Sequence, residues 1–333
     1  MSNLANLRGY LHSQLRVKLP VPTKKFTDQV VIVTGSNVGM GLEAARHIAR
    51  LGAAKVILAV RSIQKGEAAA KSIVASTKRD PSVVEVWELD LARYQSVEAF
   101  AQRAQLLPRI DVLVANAGIF MMEFTKAEDN ETNITVNVIS HMLLALLLLP
   151  KLRETAVMTG KPGVVTFTGS FTHWMTQFPE RNSSHILDDL ADEGKSKGRM
   201  RERYYVSKLI QLLVAREFAK ELSNSSKPGK VITNVVNPGF VATQIMRHGG
   251  PVFQVYLKLM KAALSRTAEE GGRTVVNGAE GGEETHGQYL NDCQVGSPST
   301  FVLSEEGGKV QKQLWDELMA KLEKVHPGVT QNI

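Results

Sequence analysis

Short runs of β-branched and other apolar residues alternate with longer amphipathic stretches from residue 29 to about residue 290. Gln29–Thr34, Lys55–Val60, Val83–Leu89, Asp111–Ala115, Gly163–Thr168, Lys230–Val236 and Gly287–Leu290 are the predicted strands, several of them almost wholly apolar. A strand of that kind is covered on both faces. Between them, Leu42–Leu51, Ser96–Leu107, Thr132–Arg153 and Tyr204–Leu222 carry helical spacing. Repeated β-α-β with short connections predicts an α/β fold: a single, doubly wound parallel sheet of about seven strands with helices on both faces. No composition break or internal repeat marks a second domain. The expected division is an N-terminal extension over 1–28, a Rossmann-type domain over 29–300 and a C-terminal helix and tail over 301–333.

The flanks carry their own patterns. Leu4, Leu7, Leu11 and Leu15 recur at helical spacing before a Pro20-Val21-Pro22 break, which predicts a helix docked on the body. The same stretch, with Arg8, Arg16 and Lys18, has the makings of a weak interfacial membrane contact through residues 1–20. Ser304-Glu305-Glu306 opens a terminal helix with carboxylates where the helix dipole favours them. The run Met142–Leu149 ends at Pro150, is too short to cross a bilayer, and reads as a buried helix.

Composition narrows the class. Hydrophobic residues at 43% and charged residues at 22% suit a folded globular chain rather than a disordered one. Cys293 is the only cysteine, which excludes an intramolecular disulfide and a cysteine metal cluster. A reducing, cytoplasmic setting is the expectation, since residues 1–28 also lack the apolar core of a secretory signal. Lys and Arg exceed Asp and Glu by 40 to 33, a net charge of +7. The bases are scattered and accompany no nucleic-acid motif, so a basic surface with one anion site is expected, not a nucleic-acid partner. The eight histidines show no paired-ligand spacing, and no metal is expected. Gly169-Ser170 lacks the hydrolase elbow.

The first strand runs straight into Thr34-Gly35-Ser36-Asn37-Val38-Gly39-Met40-Gly41 and then a helix. Glycines in such a turn let a pyrophosphate approach the backbone, and the helix start presents unpaired N–H groups. The second strand ends in Val60-Arg61, with Lys65 close by. An acidic residue there would bind both ribose hydroxyls of NAD; an arginine suits the 2′-phosphate of NADP(H). Asp90, closing the third strand, is a candidate for the adenine amine or, alternatively, a strand-end cap.

Tyr204-Tyr205-Val206-Ser207-Lys208 supplies a phenol and an ammonium on one helix face. An unperturbed phenol titrates near pH ~10, and a neighbouring ammonium favours its ionised form. With Asn116-Ala117-Gly118, Asn137, Ser170 and Asn237-Pro238-Gly239 in this order, the sequence strongly resembles the short-chain dehydrogenase/reductase family over about residues 26–290. Ala59-Val60-Arg61, Lys65-Gly66-Glu67, His173 and Ser207-Lys208-Leu209 look like its retinol-dehydrogenase-like branch, especially the fungal members.

The resemblance implies roles. Tyr204 is the general acid/base, Ser170 binds the substrate oxygen, Lys208 holds the nicotinamide ribose and lowers the Tyr204 pKa, and Asn137 anchors a relay water. Asn116, Ala117 and Gly118 wall the cofactor; Pro238, Gly239, Val241 and Thr243 seat its amide end. The implied activity is NADP(H)-dependent interconversion of a carbonyl and an alcohol on a lipophilic small molecule, with secondary-metabolite biosynthesis a compatible setting. A cofactor-binding regulator with little turnover is the alternative. Phe240–Leu264, with Met246, Phe253, Tyr256, Leu259 and Met260, is expected to cover the pocket or, alternatively, to form a dimer face or ordinary core. The long stretch between Ser170 and Tyr204 is expected to form a loop over the site, and Leu143–Leu149 with Leu209–Leu222 a homo-oligomer contact.

Helical geometry lets either adjacent tyrosine meet Lys208, and only the family spacing selects the first. Tyr204→Phe is expected to abolish turnover and Tyr205→Phe to retain it; steady-state rates showing the reverse would reassign the proton donor.

Overall fold

The structure is a computed structural model that describes residues 3–242 and 264–333. Its centre is an eight-stranded sheet. The strands are β1 (Val30–Thr34), β2 (Lys55–Val60), β3 (Val84–Glu88), β4 (Val112–Ala115), β5 (Gly163–Thr168), β6 (Val231–Asn237), β7 (Tyr289–Asn291) and β8 (Gln294–Gly296). Their spatial order is β8-β7-β6-β5-β4-β1-β2-β3. All neighbours are parallel except β7 and β8, which form an antiparallel hairpin. The eighth strand is the addition to the seven expected from the pattern. It is short and half polar, and it turns through Asp292 and Cys293, both at positive φ (52° and 62°).

Helices α2 (Gly39–Arg50), α3 (Ile63–Thr77) and α7 (Ala268–Ala279) cover one face. On the other lie α4 (Tyr94–Gln105), α5 (Ser140–Thr159), α6 (Met200–Asn224) and α8 (Glu305–Val325). Between β4 and β1 the strand order reverses, and in open α/β sheets that crevice is where ligands bind.

Helix α5 is apolar on every side from Met142 to Leu149 because the chain surrounds it there. Leu143–Leu149 lie inside the core, as do the leucines of α6, and α8 packs against α6 with Trp315 stacked on Phe218. The leucines expected to meet a second copy are therefore already covered within one chain. Thr132–Thr159 is long and apolar enough to span a membrane, yet it is the buried core helix.

Pro150 does not end α5, which continues to Thr159. A proline lacks the N–H that would bond the carbonyl one turn earlier. That carbonyl, on Leu146, instead accepts a hydrogen bond from the Asn332 side chain at 3.0 Å. The neighbouring Leu147 carbonyl accepts from Gln105 at 2.7 Å. Two distant amides thus complete the helix.

From Phe178 onward the stretch between Ser170 and Tyr204 packs along the flank, while residues 171–175 stay beside the site. Glu317 of α8 accepts the amides of Ile186 and Leu187 at 2.9 and 2.8 Å, holding the short helix Ile186–Ala191. Buried Arg203 reaches Glu180 at 3.3 Å and Ser196 at 3.0 Å. This anchor starts α6 at Met200, a turn before the periodicity suggests.

The N-terminal helix α1 (Asn3–Arg16) lies beside the end of β6. Leu15, part of its predicted apolar stripe, is 54% exposed, and polar Ser13 and Gln14 make the attachment instead. Beyond β6, Val241 bridges to Arg266, bringing the two ends of the 243–263 segment together. Thr243 and the expected cover residues Met246, Phe253, Tyr256, Leu259 and Met260 lie outside the described residues.

Asn332→Ala should leave the Leu146 carbonyl buried without a partner, a loss of about 1–3 kcal/mol. Urea unfolding that matches the unsubstituted chain would show that this bond does not support α5.

Candidate active site

The catalytic and binding candidates cluster where the parallel strands end. After β1 the chain turns through Gly35 and Gly39, both at positive φ (65° and 64°). A Cβ on Gly35 would sit 2.9 Å from the Ala117 backbone, and one on Gly41 would meet the Asn116 side chain at 2.4 Å. The turn is therefore pressed against the Asn116-Ala117 segment that leaves β4. Thr34 holds the two together: its hydroxyl accepts the amides of Asn116 and Ala117, each at 2.9 Å. Asn116 Nδ2 donates to the Thr34 carbonyl at 2.9 Å. Gly118 continues this wall, half-buried.

Not every residue of the turn offers its side chain. Ser36 is buried, and its hydroxyl donates back to the Val33 carbonyl at 2.7 Å, so only its backbone faces a ligand. Asn37 is half-buried and Val38 exposed. Val38 caps α2 without any side-chain hydrogen bond. The first amides of α2 are thus open to an anion, as a pyrophosphate requires.

Arg61, directly after β2, is exposed, as is Lys65 in the first turn of α3. Neither is in an ion pair among the described residues. Asp90 accepts the Ala92 amide at 3.0 Å and lies 3.6 Å from Arg93. It caps its own loop and keeps partial exposure, so both sequence readings of it remain available.

The chemical centre lies across the crevice. Ser170 follows β5, and its oxygen accepts from the Thr172 amide at 3.2 Å and the Thr172 hydroxyl at 3.0 Å. With both lone pairs engaged, its hydrogen is directed outward. The Tyr204 phenol lies beside the Ser170 hydroxyl. Burial pushes the Tyr204 phenol up to about 12, against the opposing influence of Ser170. Lys208 Nζ lies 5.9 Å from the Tyr204 ring centre. It donates to the Thr168 carbonyl at 2.7 Å and to Gln211 Oε1 at 3.1 Å. Among the described residues no carboxylate faces it, and burial lowers its pKa to about 7. The phenol is thus held protonated by burial, where the sequence led us to expect it lowered by Lys208.

Asn137 sits in a π-helical turn, Thr135–Ile139, ahead of α5. Such turns often mark functional positions. Its side chain is fully engaged with the Ile119 backbone and Ser207. Its backbone carbonyl accepts Gln211 Nε2 at 2.9 Å.

Two further residues brace the serine. His173 Nε2 faces the Ser299 amide at 3.1 Å, which can only donate, so the ring proton is on Nδ1 and goes to the Ser170 carbonyl at 2.7 Å. Burial lowers the His173 pKa to about 4, in keeping with that neutral tautomer. Asn237 Oδ1 accepts the amides of Phe171 and Gly239, both at 3.0 Å, joining the serine loop to the Pro238-Gly239 turn. Val241, expected near the cofactor, has its side chain buried beside Arg266.

Sequence reading missed Gln211, Phe120 and His141. Phe120 packs 4.9 Å from the Tyr204 ring. His141, wholly buried, reaches Thr34 at 3.4 Å, and burial together with Lys208 lowers its pKa to about 3. Gln211 was findable, since it lies one helical turn beyond Lys208; the other two carry no local signal.

A family model described as short chain dehydrogenase matches residues 29–179. The short chain dehydrogenase/reductase dmxR8 of Cryptosporiopsis sp. is 43% identical over 97% of this chain and 99% of its own length. Among solved structures, an uncharacterised protein from Mycobacterium paratuberculosis matches with a TM-score of 0.65 at 26% identity, over 91% of this chain and 96% of that one. The Pseudomonas aeruginosa RhlG/NADP active-site complex shares the fold, with a TM-score of 0.59 at 22% identity over 80% and 95% of the two chains.

Lysine-selective NMR is expected to show one amine titrating near pH 7, its charge lost as pH rises, and to lose that signal in Lys208→Arg. A spectrum in which every amine titrates above pH ~9 would contradict the dry setting of Lys208.

Proposed function

The chain belongs to the short-chain dehydrogenase/reductase family, and on that premise we propose that it is an NADP(H)-dependent oxidoreductase interconverting a carbonyl and an alcohol on a lipophilic small molecule. The observation that carries this reading is the Ser170–Tyr204 hydroxyl pair at the mouth of the crevice, with Lys208 behind it. A serine hydroxyl and a phenol side by side can both donate to an oxygen that gains negative charge.

In the reducing direction the substrate oxygen accepts from Ser170 and takes the proton of Tyr204. A phenol held near 12 is fully protonated at neutral pH and is available as a donor. The resulting phenolate lies near the Lys208 ammonium, which stabilises it until a proton returns. In the oxidising direction the same groups withdraw the proton from the alcohol. The bound nicotinamide supplies or takes the hydride at the carbon.

The described residues fit such a cofactor. The uncapped start of α2 receives the pyrophosphate, and the Asn116–Gly118 and Pro238-Gly239 segments flank the crevice. Preference for NADP(H) rests on Arg61, at the position where NAD enzymes carry an acid, and on nearby Lys65, neither of them in an ion pair among the described residues. The NADP of the Pseudomonas aeruginosa structure belongs to that protein. A lipophilic substrate is supported by the aromatic setting of Tyr204 and by Trp174 and Met175, which are 36% and 53% exposed just after Ser170.

The direct test is a competitive screen of carbonyl compounds and alcohols followed by NADPH absorbance. A protein that binds NADPH but turns over nothing in the panel would be a cofactor-binding regulator. Arg61→Ala should weaken NADPH roughly ten- to hundredfold and NADH little, the value of one charge-assisted phosphate contact. Equal losses for both cofactors would contradict the assignment.

A further inference from the structure

The N-terminal helix is attached to the site at three points. Gln14 forms a closed pair with the backbone of Phe240: Nε2 donates to its carbonyl at 2.8 Å, and Oε1 accepts its amide at 3.0 Å. Arg266 is buried and joins three separate segments. It donates to the Pro238 carbonyl at 3.2 Å and the Ser13 carbonyl at 2.8 Å, and pairs with buried Asp292 at 2.5 Å. Asp292, in the turn between β7 and β8, also accepts from the Ser13 hydroxyl at 2.8 Å. Finally, Tyr10 stacks on Phe171, the residue after Ser170, with ring centres 4.1 Å apart and planes 28° from parallel.

These contacts converge on the Pro238–Phe240 turn. Gly239 has positive φ (78°), and a Cβ there would meet Gln14 Oε1 at 2.5 Å and Arg266 at 2.8 Å. The turn is therefore clamped between Asn237 inside and α1 outside. Its backbone polar groups find partners more than two hundred residues away in sequence, which a merely appended helix does not require.

We propose that α1 is a working wall of the active site: Gln14 and Arg266 are positioning residues that hold the Pro238–Phe240 turn for the nicotinamide end of the cofactor, and Tyr10, through Phe171, flanks the substrate side of Ser170. This rests on the cofactor reading above.

The experiment uses the full chain and compares Gln14→Ala, Tyr10→Leu and Leu15→Ser, the last on the outward face of the same helix. NADPH affinity is followed by fluorescence, KM and kcat by turnover, and amide exchange over residues 237–242 by mass spectrometry. Gln14→Ala is expected to weaken NADPH about tenfold and to hasten exchange in the turn while β1 stays protected. Tyr10→Leu should raise KM for the carbonyl substrate and leave NADPH affinity unchanged. Leu15→Ser should behave as the unsubstituted chain.

Unchanged exchange in Gln14→Ala would show that α1 does not hold the turn. Faster exchange with NADPH affinity within about twofold would show that the turn does not serve the cofactor, and either result overturns the proposal. If Gln14→Ala does not fold, Gln14→Glu keeps the acceptor for the Phe240 amide but loses the donor. It should show an intermediate shift in both readings, and no shift would overturn the proposal equally. An unsubstituted chain that binds neither NADPH nor NADH would instead overturn the function proposed above.

Discussion

A parallel sheet buried on both faces leaves its polar backbone few places to meet water or ligand. In this chain the strands carry apolar side chains above and below, so polar chemistry is confined to the strand ends. At the carboxyl end the helix starts point their N–H groups inward and the loops separate where strand order reverses. Glycine turn, Arg61, Asp90, Asn116, Ser170 and the Pro238-Gly239 turn share one edge because that constraint admits no other. What remains to be set is how far each loop stands from the next, and single side chains set it: Thr34 between β1 and β4, Asn237 between β5 and β6.

The same burial determines the chemistry. Around Lys208 and Tyr204 the bracing groups are neutral amides and carbonyls: Asn137, Gln211, Asn116, Asn237 and the Thr168 oxygen. A carboxylate in their place would hold Lys208 firmly charged and would repel an anionic cofactor. With amides, Lys208 sits near neutrality and Tyr204 keeps its proton. His173 and His141 are likewise neutral and do not compete with Lys208 for the charge that develops on the phenol. Rigid geometry is obtained without a fixed field.

How much of this was legible in the sequence depended on distance along the chain. The glycine turn, the Tyr204–Lys208 pair and the apolar strands are written in contiguous residues, and their conformation follows from local rules. The fold class followed from them. Side-chain direction was not legible: Ser36 belongs to the phosphate turn, yet its hydroxyl turns inward because a buried Val33 carbonyl needs a donor. Nor were partners that arrive from afar. The spacing carried a helix through Pro150, but nothing near it showed what replaces the lost hydrogen bond; Asn332 does so. The leucines of α5 and α6 read as an interface because α8 could not be placed on them from spacing alone. In α1 the leucine stripe drew attention, while Ser13 and Gln14, without any pattern, make the attachment.

The bridge between Val241 and Arg266 has a consequence for how such a protein changes over generations. Arg266 donates its amide to the Phe240 carbonyl at 2.8 Å, and its own carbonyl accepts from Ala242 at 3.0 Å, so both ends of the intervening segment are fixed to the body. Where two ends of a chain already meet, the length of what joins them changes the entropy cost only slowly. Residues 243–263 can therefore be lengthened, shortened or rewritten by mutation while the proton-transfer pair and the phosphate turn stay where they are.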